Sequence, residues 1–176
     1  MIWLSSSTIA RLRDKLRATG DRPSMVTADP ATADDAALVA ATMEYGPLCE
    51  AMYLMMSADG SIDSEERSVL KGALRSLSEG SLASAHIEAM LDSAAKNVAH
   101  SGREQRLHEV ATQLRQDPAR SEVAFVLAAA VAFADNAIAD EENETLNELA
   151  VGLGIDDDRV EQLLDTVEAD LAQRPG

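Results

Sequence analysis

The sequence predicts an all-α fold of about seven helices, arranged as a pseudo-twofold bundle of two helix, acidic turn, helix halves. Three observations carry this expectation. Hydrophobic residues make up 46% of the 176, yet only 3% are aromatic. Apolar character therefore rests on Ala, Leu and Met, which favour helix over strand. Apolar residues recur at helical spacing throughout, and no stretch alternates as a strand would. Finally, Ala58-Asp59-Gly60-Ser61-Ile62-Asp63-Ser64-Glu65-Glu66 returns 76 positions later as Ala134-Asp135-Asn136-Ala137-Ile138-Ala139-Asp140-Glu141-Glu142. Both copies follow an apolar run and precede a helical pattern, and the period is too long for a simple solenoid.

Residues 1–33 read as a basic arm and linker. Ile9, Leu12 and Leu16 share one helix face among Arg11, Arg13, Lys15 and Arg17. Packing of that face on the acidic body is expected over attachment to a membrane surface. Pro23 and Pro30 mark the stretch up to Asp35 as linker. The helical domain is expected at 34–176. Asp34 or Asp35 caps a first long helix that carries Met43, Leu48, Met52, Met55 and Met56 inward, with a kink or break at Gly46-Pro47. After the first acidic turn, Ser64 opens a helix with Val69, Leu70, Ala73, Leu74 and Leu77 as its stripe. Further helices start at Ser81 or Ser84 and at Arg103. Asp117-Pro118 has the form of an N-cap followed by proline at the first helical position, and the helix it opens is nearly all apolar from Ala124 and so central. Glu144 to Leu153 and Asp156 to Ala172 complete the chain.

Thirty-one acidic against 15 basic residues give a formal charge of -16. That balance argues against nucleic acid as a partner and favours cations or basic protein surfaces. The lone Cys49, set in an apolar pattern, excludes an intramolecular disulfide and a cysteine-based zinc site. No run of about 18 apolar residues is present, so no transmembrane segment is expected. Met1-Ile2-Trp3-Leu4 is too short for the apolar part of a signal peptide, and the expected location is cytoplasmic.

Within each repeated turn, the order Asp, flexible residue, spacer, Ile and then Glu four positions on matches the second half of an EF-hand calcium loop. Asp offers a carboxylate oxygen, Gly60 or Asn136 permits a sharp turn, and the Glu returns from the next helix with two oxygens. The first half of that loop is missing. Met55 and Ser57, and in the second copy Val131 and Phe133, stand where acidic ligands would be. One copy thus supplies about two carboxylates, whereas the pair supplies four: Asp59, Glu66, Asp135 and Glu142. The plain structural alternative is a helix-turn-helix corner, with Asp59 and Asp135 capping turns, Ile62 and Ile138 plugging the core, and the Glu pairs facing the positive end of the next helix.

The doubled motif, Asp59-Gly60-Ser61-Ile62 with Glu66 and Asp135-Asn136-Ala137-Ile138 with Glu142, resembles the TerB family of tellurite-resistance proteins and related TerB-like domains. The resemblance covers roughly Asp35 to Ile155 and leaves residues 1 to 33 outside. It implies an all-helical fold with two pseudo-symmetric halves, and a metal-binding role for Asp59, Glu66, Asp135 and Glu142. It also implies a place in cytoplasmic stress-response or membrane-associated complexes with other tellurite-resistance proteins. Asn136 departs from the usual Gly, a change that the left-handed backbone tolerates.

The expected function is therefore a non-enzymatic module that binds a divalent cation, calcium or magnesium. A metal-free acidic scaffold that docks a basic protein is the alternative. His86, His100 and His108 lack the spacing of a metal pair, and no nucleophile elbow or phosphate loop is present. Asp156-Asp157-Asp158 opens a helix and reads as a cap. A hydrolase using Glu65 or Glu141 beside a metal would lack neutral polar groups to hold a substrate.

Overall fold

A computed structural model describes residues 4–19, 30–60, 62, 64–134 and 138–173, with side chains of the first long helix described from residue 36 on. All secondary structure among these residues is helical, in eight helices: α1 (Ser6–Thr19), α2 (Pro30–Met56), α3 (Ser64–Leu77), α4 (Ser84–Ser101), α5 (Arg103–Leu114), α6 (Pro118–Ala132), α7 (Asp140–Leu153) and α8 (Asp157–Ala172). The eighth relative to the expected seven is α1. Its Leu12 and Leu16, with Ile9, belong to the same buried core as the central helices.

The duplication is legible residue by residue. Shifted by the sequence repeat, α3 coincides with α7 at both ends, and the last residue of α2 falls on the last residue of α6. In α4 the buried Ile87 and Leu91 fall on Leu163 and Val167 of α8. In α1 and α5 the inward residues Ile9, Leu12, Leu16 and Leu107, Val110, Leu114 keep one spacing, i, i+3, i+7. The halves are thus α1–α4 and α5–α8. Even the polar fastening repeats: Tyr45 Oη donates to the Leu77 carbonyl at 3.1 Å, and at the matching positions Ser121 Oγ donates to the Leu153 carbonyl at 3.4 Å.

Helices α2 and α6 pack on each other at the centre, each flanked by α3 and α4 or α7 and α8 of its own half. The first helix of each half crosses over: α1 lies on α3 and on α6, while α5 lies on α7 and on α2. Each crossing carries an ion pair from a carboxylate of the central helix. Glu50 accepts from Arg106 Nε and Nη2 at 2.7 and 2.8 Å, and Glu122 meets Lys15 of α1 and also Arg159 of α8 at 2.7 and 2.9 Å. The Arg159 guanidinium, aided by Lys15, holds the Glu122 carboxyl down at about 2. Burial pushes the Cys49 thiol up to about 12, so it behaves as a small core hydrophobe. Where α5 and α7 cross, a Cβ added at Gly152 would stand 2.8 Å from that of Ala111, so only glycine permits this approach.

Three expectations about α2 are corrected. It begins at Pro30 and not at Asp34 or Asp35, because proline's fixed φ suits the first helical position. It is one continuous helix through Pro47, so the break into two helices at Gly46-Pro47 does not occur. The missing N–H there disturbs the local ladder, and Arg120 donates to the neighbouring Glu44 carbonyl. Met43, expected inside, is 72% exposed, because it points to the side of α2 opposite the buried Ala41 and Tyr45, which lie two residues away on either side. In the second half, α7 starts at Asp140, ahead of the expected Glu144, with three carboxylates in its first turn favoured by the helix dipole.

Candidate functional site

Both acidic turns follow the ends of the central helices, and their entries are built alike. Ser57 N–H donates to the Tyr53 carbonyl and Ala58 N–H to that of Met55, each at 3.0 Å. Phe133 and Ala134 make the matching bonds to Ala129 and Val131, also at 3.0 Å. In the first turn Gly60 takes φ +84, the left-handed conformation that its missing Cβ allows.

The four predicted ligands differ in their surroundings. Asp59 is exposed on the first turn, and Glu66 is half-buried in the first turn of α3. Glu142 is only 8% exposed, and its Oε2 accepts the Ala139 N–H at 2.7 Å. Ala139, the N-cap residue, has no side-chain acceptor, so Glu142 supplies the side-chain bond at this helix start. Asp135 lies outside the described residues. Among the described residues, no three His, Cys, Asp or Glu side chains converge so as to hold a metal ion. The donor types themselves, all carboxylate oxygen, suit a hard cation. Of the two isoleucines expected to plug the core, Ile138 packs against it, whereas Ile62 is 42% exposed.

One residue that the sequence reading passed over ties the two corners' surroundings together. Arg103 Nη2, from the first residue of α5, donates to the Leu54 carbonyl at 3.4 Å and also to Thr145 Oγ1. Leu54 lies two residues before the end of α2, and Thr145 sits in the second turn of α7, where its hydroxyl donates to the Glu141 carbonyl at 2.7 Å. The end of α2, which leads into the first corner, thus lies beside the start of α7, which follows the second. A signal was available: a cation in the first turn of a helix opposes the helix dipole, so Arg103 needs a tertiary partner.

Three of the four basic side chains of α1 are engaged with the body, while Arg11 donates to Thr8 within the helix. Arg13 and Arg17 pair with Glu79, and Lys15 with Glu122. No described helix is long and apolar enough to cross a membrane. His86, half-buried, accepts the Ala83 N–H on Nδ1 at 3.2 Å and so caps α4, while His100 and His108 are exposed.

No curated protein and no solved structure matches the chain. The sequence model of one family, described as tellurite resistance protein TerB, matches residues 48–165, about two thirds of the chain, from the buried half of α2 into α8. With its doubled helix, acidic turn, helix halves, the chain belongs to the TerB family of tellurite-resistance proteins.

Proposed function

We propose that the two acidic corners jointly bind one divalent cation, calcium or magnesium, through Asp59, Glu66, Asp135 and Glu142. The chain then acts as a non-enzymatic, cytoplasmic module of tellurite resistance or stress response, alongside other tellurite-resistance or membrane-associated proteins. The observation that carries this reading is the Arg103 bridge between the end of α2 and the start of α7, which supports two corners close enough to share an ion. The bound ion would supply charge neutralisation and cross-linking of the halves. Asp59 and Asp135 would each give an oxygen from a turn, and Glu66 and Glu142 would return from the following helices. Glu142 would either offer Oε1 or release Oε2 from its cap.

A second reading has its own support. The Glu142 cap gives that carboxylate a purely structural reason to be there, so the corners could be parts of a metal-free acidic scaffold for a basic partner. Calorimetric titration of calcium and of magnesium into chelator-treated protein separates the two. The metal reading expects one saturable site per chain that Asp59→Ala and Asp135→Ala each weaken and together abolish. Absence of binding by the unaltered protein, or unchanged affinity in the double variant, would overturn it.

A further inference from the structure

Beside the first corner lies a groove of about 190 Å³ that the cation reading does not use. Tyr53 and Met56 of α2 form one wall, and Leu91 and Ala95 of α4 the other. The exposed Ile62 stands at its lip, with Arg67 and Asp92 as its polar edges. Small-molecule sites usually enclose about 300–1,000 Å³, so this space suits one side chain better than a cofactor.

The other half of the molecule shows what the groove lacks. At the positions matching Tyr53 and Met56 stand the smaller Ala129 and Ala132, while Leu91 and its match Val167 are both buried. Where the first half has the small Ala95, the second has Leu171, and where Ile62 is exposed, Ile138 packs on the core. The two corners thus differ: the second carries a larger residue at the Ala95 position and a core-packed isoleucine, while the first has Ile62 exposed beside the groove.

The charge around the groove selects the occupant. Asp59 and Glu65 are exposed on the corner side, and Asp92 is exposed on α4. Arg67 is held at 2.8 Å by Glu88, which also pairs with Lys71. Lys96 lies one turn along α4 from Asp92 and offsets part of this charge, but the edge stays acidic on a chain of formal charge -16. A second copy of so acidic a chain would be repelled.

We propose that the groove between α2 and α4 beside the first acidic corner docks a short basic segment of a partner protein, anchored by one large apolar side chain against Ala95, the position at which the other half carries Leu171. The apolar anchor supplies the buried contact, and lysines or arginines one turn away face Asp59, Glu65 and Asp92. This site does not depend on the cation.

The test is fluorescence anisotropy with the full chain, in chelator, using a labelled model peptide of leucines and lysines with the leucines one helical turn apart. The expected result is saturable binding, weakened about tenfold or more by Ala95→Leu, which copies the second half's residue at this position. Ile62→Ser, at the exposed lip, weakens it in the same direction without filling the space. A lysine-serine peptide and a leucine-glutamate peptide are expected to bind at least about tenfold more weakly than the leucine-lysine one. The proposal is overturned if Ala95→Leu, shown folded by its helical circular dichroism, binds as tightly as the unaltered chain. It is equally overturned if the lysine-serine peptide binds as well, since charge alone would then suffice. Sedimentation showing a dimer that Ala95→Leu converts to monomer would assign the groove to a second copy and overturn it too.

Discussion

Glu142 serves two chemistries that substitution can separate. Its Oε2 satisfies the Ala139 N–H at the start of α7, and its charge belongs to the proposed cation site. Glutamine keeps an acceptor oxygen of the same reach and removes the charge. Glu142→Gln is expected to stay within about 0.5 kcal/mol of the original stability in urea denaturation, while Glu142→Ala, lacking the acceptor, loses about 1 kcal/mol. Under the cation reading both variants lose calcium affinity; a Gln variant that binds as before would leave the cap as this residue's whole role. The type and spacing of this residue were legible in the sequence, because Glu142 repeats Glu66. That it is buried where Glu66 is half-buried was not, since burial here depends on what packs across the corner.

At the level of helices, the amphipathic stripes of α3 and α5 could be read directly, because each has one core-facing side and a helical period records it. Met43 and Ile62 went the other way. Met43 lies on the side of α2 opposite the buried Ala41 and Tyr45, and Ile62 sits in the turn, where no helical period assigns a face. The α1 stripe was equally readable, but its partner, the central helix of the opposite half, was not. Its link to that helix gives a pH signature. Held at about 2 in the fold against an ordinary 4.5, Glu122 contributes stability that is fully present above about pH 4.5 and lost as pH falls toward 2. The full shift corresponds to about 3 kcal/mol, and screening by solvent at this partly open pair brings the expected contribution to about 2 kcal/mol. Glu122→Gln should therefore be less stable at pH 7 by about 2 kcal/mol, a difference that narrows steadily in urea midpoints measured down to pH 3. A pH-independent difference would mean that packing, and not the ion pairs with Arg159 and Lys15, accounts for the loss.

For the molecule as a whole, composition and helical spacing carried the helical class, and the doubled motif carried the two halves, because an internal repeat constrains the whole chain at once. The repeat relation of α1 to α5 was harder to read. Residues 1–33 carry little of the repeat's acidic signature, yet α1 occupies in its half the position that α5 occupies in the other. The match between them lies in apolar spacing alone, Ile9, Leu12 and Leu16 against Leu107, Val110 and Leu114, too short a pattern to stand out in sequence.

The crossing of α1 onto α6 and of α5 onto α2 makes the two halves hold each other like clasped hands. Each would leave the long axis of the other bare if it were taken away. Cut at Gly102, the single residue between α4 and α5, the chain should behave as a split protein. Residues 1–102 and 103–176 made apart are each expected to show little helical signal or to aggregate, and mixing them should restore cooperative thermal unfolding. If either piece folds by itself, the embrace is ornamental, and each half carries enough core to live alone.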